Sequence, residues 1–271
     1  MQSVAVREQG TSHSPRNQVN ELLVLWQHPE SREIIPIGRF TYDGGRFGFS
    51  YTRAAAQIDD FRPLRGLSDL RTHYVSDNIP AVFNQRVMSP DRPDYGQYLG
   101  FLGLDVAAAT PWEQIVESGG DRAGDTLQFM QLPTISGGRA HARFFVNGIR
   151  HIPGVSRTLA GRIVEVTREE QETALNQLEI GHRVLLEPEL ENPRDAHAIL
   201  VTVGGTPVGW VPRVLSASLR QITESIECTA AVHRIRGATA PFHLRLVLDL
   251  DVAVPKGFEF DPEEKWATLS S

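Results

Sequence analysis

The segment ENPRDAHAILVTVGGTPVGWVPR, residues 191–213, places an acid, two arginines and a tryptophan at the ends of one expected hairpin. Asn192-Pro193-Arg194-Asp195 is a proline-fixed polar turn, and Trp210-Val211-Pro212-Arg213 ends the returning arm. Two readings stay open on residue chemistry alone. Asn-Pro starts turns, an aspartate bonds its own backbone, and a strand tryptophan is ordinarily core. Gathered at one rim, the same groups would instead form a binding site. Upstream, Glu187, Glu189 and Glu191 alternate and lead into Asp195. A two-metal nuclease uses such a cluster. No second carboxylate group with a partner lysine or histidine at motif spacing accompanies it, so the glutamates are expected to be a solvated edge that blocks edge-to-edge pairing. His141, His151, His182, His197, His233 and His243 include no His-x-x-x-His pair of the kind a helical zinc site needs. Ser156 lies outside any Gly-x-Ser-x-Gly elbow. No catalytic residue, metal site or cofactor is expected, and the protein is expected not to be an enzyme.

Composition narrows the classes further. The 271 residues suit two domains, and the net charge of −6 offers no basic surplus to coat a duplex, so any nucleic-acid site must be local. Lysine occurs only at Lys256 and Lys265. Neither stands in a Walker A setting, and neither can serve as the strand lysine of a protein kinase. The single cysteine, Cys228, excludes an internal disulfide framework and a multi-thiolate zinc site. No apolar run is long enough to span a bilayer, and the polar N-terminus lacks a signal-peptide core. The expected compartment is the cytoplasm, without a membrane partner.

The elements that must position these residues read as a strand-rich α+β chain. Residues 1–19 are expected to be a disordered arm, followed by a mixed α/β domain over 20–133. That domain opens with a strand at 21–27 and a hairpin around Asp43-Gly44-Gly45. Phe40, Tyr42, Phe47, Phe49 and Tyr51 are expected on its core face, and Arg39, Thr41, Arg46 and Ser50 on the other. Short helices are expected at 80–88 and 93–102. Thr110, Pro111 and Glu113 announce a capped helix that Gly119 ends. A strand follows at 125–133. Gly137-Gly138 marks a linker, 134–140. Residues 141–254 read as a small closed or nearly closed barrel with two short helices. The first helix is capped by Thr167 and Glu170, with Leu175, Leu178 and Ile180 apolar; the second is started by Pro212. For the tail, 255–271, both docking through Trp266 and its phenylalanines and disorder are compatible with the sequence.

The run FVNGIRH, then HRVLLEPELENPRDAHAILVTVGGTPVGWVPRVLSASL, resembles the HIRAN domain over about residues 141–254. The resemblance implies an OB-like barrel that grips single-stranded DNA or a DNA 3′ end. It assigns Arg150 and His151 to the family's Arg-aromatic pair, and Arg194 and Asp195 to its aromatic-Asp pair, with Asp195 accepting a hydrogen bond from the terminal 3′-hydroxyl. Trp210 and Arg213 fall on positions lining the nucleic-acid backbone, and Phe242 on a stacking aromatic. On this assignment the arginines pair with phosphates, the planar groups stack on bases, and the Asp195 carboxylate favours a free end over a continued strand. Two positions that are aromatic in a DNA-gripping member are His151 and Arg194 here. A helix over roughly 167–177 also separates the first barrel strand from the rest.

The N-terminal half, from VLWQHPESREIIPIGRFTYDGGRFGFSYT to NIPAVFNQRVMSPDRPDYGQYLGFLGL, resembles the N-terminal subdomain of HipA-type proteins, without the kinase that follows it there. That implies a module for a protein partner or for self-association. The leading expectation is a non-enzymatic DNA-binding protein of genome maintenance, phage defence or a toxin–antitoxin-like system. One alternative is a protein-binding regulator, antitoxin-like towards a HipA-type kinase, with a degenerate DNA pocket. The other is a metal-dependent DNA-processing enzyme using Glu187, Glu191, Asp195 and histidines.

Overall fold

A computed structural model describes residues 19–107, 109–122, 125–159 and 161–270. The expected N-terminal arm lies outside them except for Val19, whose carbonyl accepts the Trp112 indole N–H at 2.9 Å. The chain is strand-rich α+β. Its first half holds β1 (Glu21–Gln27), β2 (Ile34–Tyr42), β3 (Phe47–Tyr51), β4 (Tyr74–Ser76), α1 (Ala81–Asn84), α2 (Tyr95–Leu102), α3 (Pro111–Ser118) and β5 (Leu127–Gln131). The strands form an antiparallel sheet in the order β4-β3-β2-β1-β5.

β1 is apolar through Leu22, Leu23, Val24 and Leu25 because both of its faces are covered. Leu22 and Val24 join Phe40, Phe49, Phe83 and Trp112 in the core of this half. Leu23 and Leu25, with Met130, point the other way and belong to the core of the second half. The β2–β3 turn is fixed as its residues predict: the Asp43 carboxylate accepts the backbone N–H groups of Gly45 at 2.9 Å and Arg46 at 2.7 Å. Ser50, expected to face outward, is buried, because His73 and Ser270 both hydrogen-bond its hydroxyl. On α3 the Thr110–Glu113 capping box is present, and Gly119 ends the helix at φ +66°.

The second half holds β6 (Thr134–Ser136), β7 (Arg139–Phe145), β8 (Arg157–Leu159), β9 (Arg162–Val164), α4 (Arg168–Asn176), β10 (Arg183–Leu190), β11 (Ile199–Val203), β12 (Thr206–Trp210), α5 (Arg213–Thr223), β13 (Cys228–Ile235) and β14 (Leu246–Ala253). Its main sheet runs β12-β11-β10-β13-β14-β7-β6, with the β8–β9 hairpin attached to the end of β10. Residues 134–140, expected as a linker, are β6, the Gly137-Gly138 turn and the start of β7, so the second sheet begins before the expected boundary. Burial alternates strictly along β13, as a strand with one covered face requires.

The two ends of this sheet meet. Just beyond β7, Asn147 donates its N–H to the Trp210 carbonyl at 2.9 Å, and Trp210 donates back to the Asn147 carbonyl at 2.9 Å. That reciprocal pair closes β12-β11-β10-β13-β14-β7 into a small barrel. Two glycines permit it. A Cβ on Gly209 would lie 2.4 Å from the Val146 side chain and 2.8 Å from the Asn147 carbonyl oxygen. A Cβ on Gly148, which sits at φ +67°, would lie 2.5 Å from the Trp210 ring.

α4 packs against the barrel through Leu175 and a paired Arg245–Glu172 contact of 2.6 and 2.8 Å. Ile180, expected on its apolar face, is 73% exposed, because it lies beyond the last helical turn. Pro212 stands at the cap of α5, one position before the helix. The two halves are joined by more than shared core. The buried Arg234 donates to the carbonyls of Leu102 and Glu117 and to the Glu117 carboxylate, each at 2.6 Å. The tail docks. Phe258 and Phe260 are buried against the barrel, and Ala267 and Leu269 pair with the backbone of Arg53 and Tyr51.

Gly209→Val should lower stability by about 1–3 kcal/mol through overpacking at the closure. Gly237→Ala, with no atom within 4 Å of its new Cβ, should stay within about 0.5 kcal/mol of wild type. Urea unfolding of both variants measures the difference.

Candidate nucleic-acid rim at the barrel closure

The closure gathers most of the residues singled out by sequence. A 3₁₀ turn, Ile149–His151, follows Gly148 and carries Arg150 and His151 to the surface. Trp210 stands across the closing pair. The Asn192–Asp195 turn stays rigid because the Asn192 side-chain oxygen accepts the N–H groups of Arg194 at 2.9 Å and Asp195 at 3.0 Å. Arg213, at the start of α5, donates to the Arg194 carbonyl and sets its Nε 3.7 Å from the Asp195 Oδ2. The turn of Phe242–Leu244 packs beside the one carrying Arg150, and Phe242 is 38% exposed there.

Beneath the rim lies Glu189, one of the three glutamates expected to form a solvated edge. Glu189 is buried, at 4% exposure. Its carboxylate accepts the Trp210 indole N–H at 2.7 Å, an Arg157 N–H at 3.0 Å and the Asn192 amide. Arg157 also donates to the His151 carbonyl at 2.7 Å and lies 4.4 Å from the Trp210 ring centroid. One carboxylate therefore fixes the tryptophan, the turn and, through Arg157, the Arg150–His151 segment. Trp210 is a clamped post, with Arg157 on its ring and Gly148 packed against it. The planar groups left more open are His151 and Phe242. Arg157 and Asn147 carried no sequence signal of their own, since their roles come from pairing across the fold. Glu189 differed from its exposed neighbour Glu191 only in which side chains it would meet.

The electrostatics are local. Among the described residues Arg150 and Arg194 make no ion pair, while Arg157 is neutralised by Glu189. Burial first, then the charges of Arg150, Arg194 and Arg157, hold the His151 imidazole below its ordinary value. It is neutral near pH 7, and its Nε2 accepts the Arg150 Nε–H at 3.0 Å. The Asp195 carboxylate accepts the His197 N–H at 2.9 Å and keeps further lone pairs for a donor. Among the described residues no three His, Cys, Asp or Glu side chains converge as a metal site. Burial pushes the Cys228 thiol up to about 11, so it is no thiolate at neutral pH.

This arrangement sets two unpaired guanidiniums, a turn carboxylate and exposed rings on a small barrel. Residues 140–254 match the HIRAN domain family model. HIRAN domains bind DNA, so the match supports a DNA-binding role for this half in those coarse terms. Arg150, His151, Arg194, Asp195, Trp210, Arg213 and Phe242 all fall inside the matched segment. Neither the curated proteins nor the solved structures gave a match. The resemblance of the N-terminal half to HipA-type proteins has no counterpart among these findings. No helix among the described residues is long and apolar enough to cross a membrane.

Glu189→Ala would leave the Arg157 guanidinium buried without its carboxylate and the indole N–H without its acceptor. We expect a loss of about 3 kcal/mol in urea unfolding. Trp210 fluorescence should also become more accessible to an aqueous quencher.

Proposed function

We propose that this protein is a non-enzymatic DNA-binding protein that holds single-stranded DNA at a free 3′ end on the barrel rim. The observation that carries the reading is the contact of Arg213 with the Arg194–Asp195 turn, beside a His151 that feels the charges of both Arg150 and Arg194, inside the segment that matches the HIRAN model. The arginines take the phosphates nearest the end. Asp195 accepts the terminal hydroxyl and repels a phosphate placed there. His151 and Phe242 offer faces to the last bases, each stack contributing about 1–3 kcal/mol. Because few cations are involved, affinity comes from this cluster and not from the net charge, which is −6.

The N-terminal half serves as the protein-contact module in this reading, for a partner or a second copy. Its sheet ends on the short edge strand β4, where Val75 is 51% exposed. Genome maintenance or defence against invading DNA are the settings in which capture of a strand end is useful.

The test is fluorescence anisotropy with four labelled oligonucleotides: a single strand with a 3′-hydroxyl, the same strand with a 3′-phosphate, a blunt duplex and a single-stranded RNA. The 3′-hydroxyl strand should bind tightest. Three phosphate contacts at roughly 0.7 each predict a slope of log affinity against log salt of about −2. Asp195→Ala should erase the preference for the hydroxyl end, and Arg213→Ala should weaken every strand and flatten the slope by about 0.7. Equal affinity for both ends in the wild type would refute end reading, and no binding to any of the four would refute the DNA reading.

A further inference from the structure

The β8–β9 hairpin lies along β12, on the outside of the barrel. Its register pairs Arg157 with Val164 and Leu159 with Arg162, so these four side chains share the face turned towards the barrel. Leu159 is buried there with Leu200 of β11, and Val164 packs against the same cluster with Trp210. The two arginines mark the two ends of β12. Arg157 lies on the Trp210 ring at the rim, 4.4 Å from its centroid. Arg162 lies over Gly205 at the other end, where a Cβ would stand 3.5 Å from its Nη2 and 3.8 Å from its Nη1.

The two differ in what holds their charge. Arg157 is buried against Glu189 and neutralised by it. Arg162 is exposed, and among the described residues its side chain makes no ion pair and no hydrogen bond. A nucleic-acid strand leaving the rim therefore meets unequal exits. Towards the first half it passes Phe242 and comes upon Asp121, whose carboxylate stands 3.6 Å from His243. Along β12 it comes upon the Arg162 guanidinium. The first repels a phosphate and the second pairs with one.

We propose that Arg162 pairs with a backbone phosphate of the bound strand, inward of its 3′ end, so that the nucleic-acid site runs the length of β12. The inference rests on the DNA reading of the rim and gives that site its length. From Gly205 to Trp210 the backbone covers about 17 Å at roughly 3.3 Å per residue. A stacked strand advances about 3.4 Å per phosphate, so at most about five phosphates separate the rim from Arg162, and fewer in a more extended strand. Added to the phosphates held at the rim, this falls within the ~4–16 nucleotides that one barrel of the OB type covers. A guanidinium offers a phosphate two parallel N–H donors, and Arg162 has its donors free. Such a contact positions the strand and reads no base.

The experiment compares two labelled oligothymidines with a 3′-hydroxyl, one of four nucleotides and one of twelve, bound to the full chain and followed by anisotropy across a salt series. The rim arginines occupy the phosphates of the short strand, and only the long one reaches Arg162. The slope of log affinity against log salt should be steeper for the long strand by about 0.7, one further phosphate contact. In Arg162→Ala the long strand should weaken by about fivefold, the size of one exposed charge contact, and its slope should fall back to that of the short strand. Arg162→Lys keeps the charge and should keep the steeper slope. Arg65→Ala removes another exposed arginine, in the first half, and should leave the difference between the strands in place. Thermal unfolding of each variant verifies that the chain remains folded. A slope independent of length, a steepening that survives in Arg162→Ala, or an equal loss in Arg65→Ala would overturn the Arg162 contact and leave the rim reading standing. No binding of either strand by the wild type would overturn both.

Discussion

A single reciprocal backbone pair, Asn147 with Trp210, sets the geometry on which the candidate site depends. It joins the two ends of a sheet that otherwise runs open, and it does so where Gly148 and Gly209 leave no room for a side chain. The closure brings the turn after β7 against the end of β12. Arg150 and His151 come from one side of that junction, and Trp210 and Arg213 from the other. Residues more than fifty positions apart thus share one rim because two strands must pair, and their side chains need only point outward.

Below the rim, Glu189 converts this proximity into fixed orientation. A buried carboxylate is costly unless its lone pairs are used, and here an indole N–H, a guanidinium and an amide use them. The Arg157 charge is spent on Glu189, which leaves Arg150 and Arg194 as the open cations. A protein of net charge −6 can still present such a site, because the open guanidiniums of Arg150 and Arg194 act over a short range. The His151 imidazole, neutral at physiological pH in that field, adds a flat surface and no charge.

Much of the fold was legible because local chemistry and tertiary demand agree. The Thr110–Glu113 and Thr167–Glu170 boxes cap the helices they announce, Gly204-Gly205 turns its hairpin with both φ positive, and β13 alternates as written. Ser50 and Ile180 went the other way for tertiary reasons. The tail covers the first, and the chain has left the helix before it reaches the second. The Gly137-Gly138 turn reads equally well as a linker and as a hairpin, and only the β6–β7 pairing decides between them. Of the site, the rim residues were legible through their family pattern. Arg157 and Glu189 were not, since a buried ion pair between β8 and β10 has no spacing in sequence.

The most direct measurement of the central claim is the side-chain NMR spectrum of the full chain during titration with a short single strand bearing a 3′-hydroxyl. Trp210 would be assigned by Trp210→Phe, and Arg150, Arg194 and Arg213 by single substitutions. The account predicts that the Trp210 indole and these three guanidiniums shift together and saturate at one strand per chain, while Trp26 and Trp112 in the first half stay in place. Shifts confined to the first half, or to the outer strands of the barrel with the closure unmoved, would contradict it.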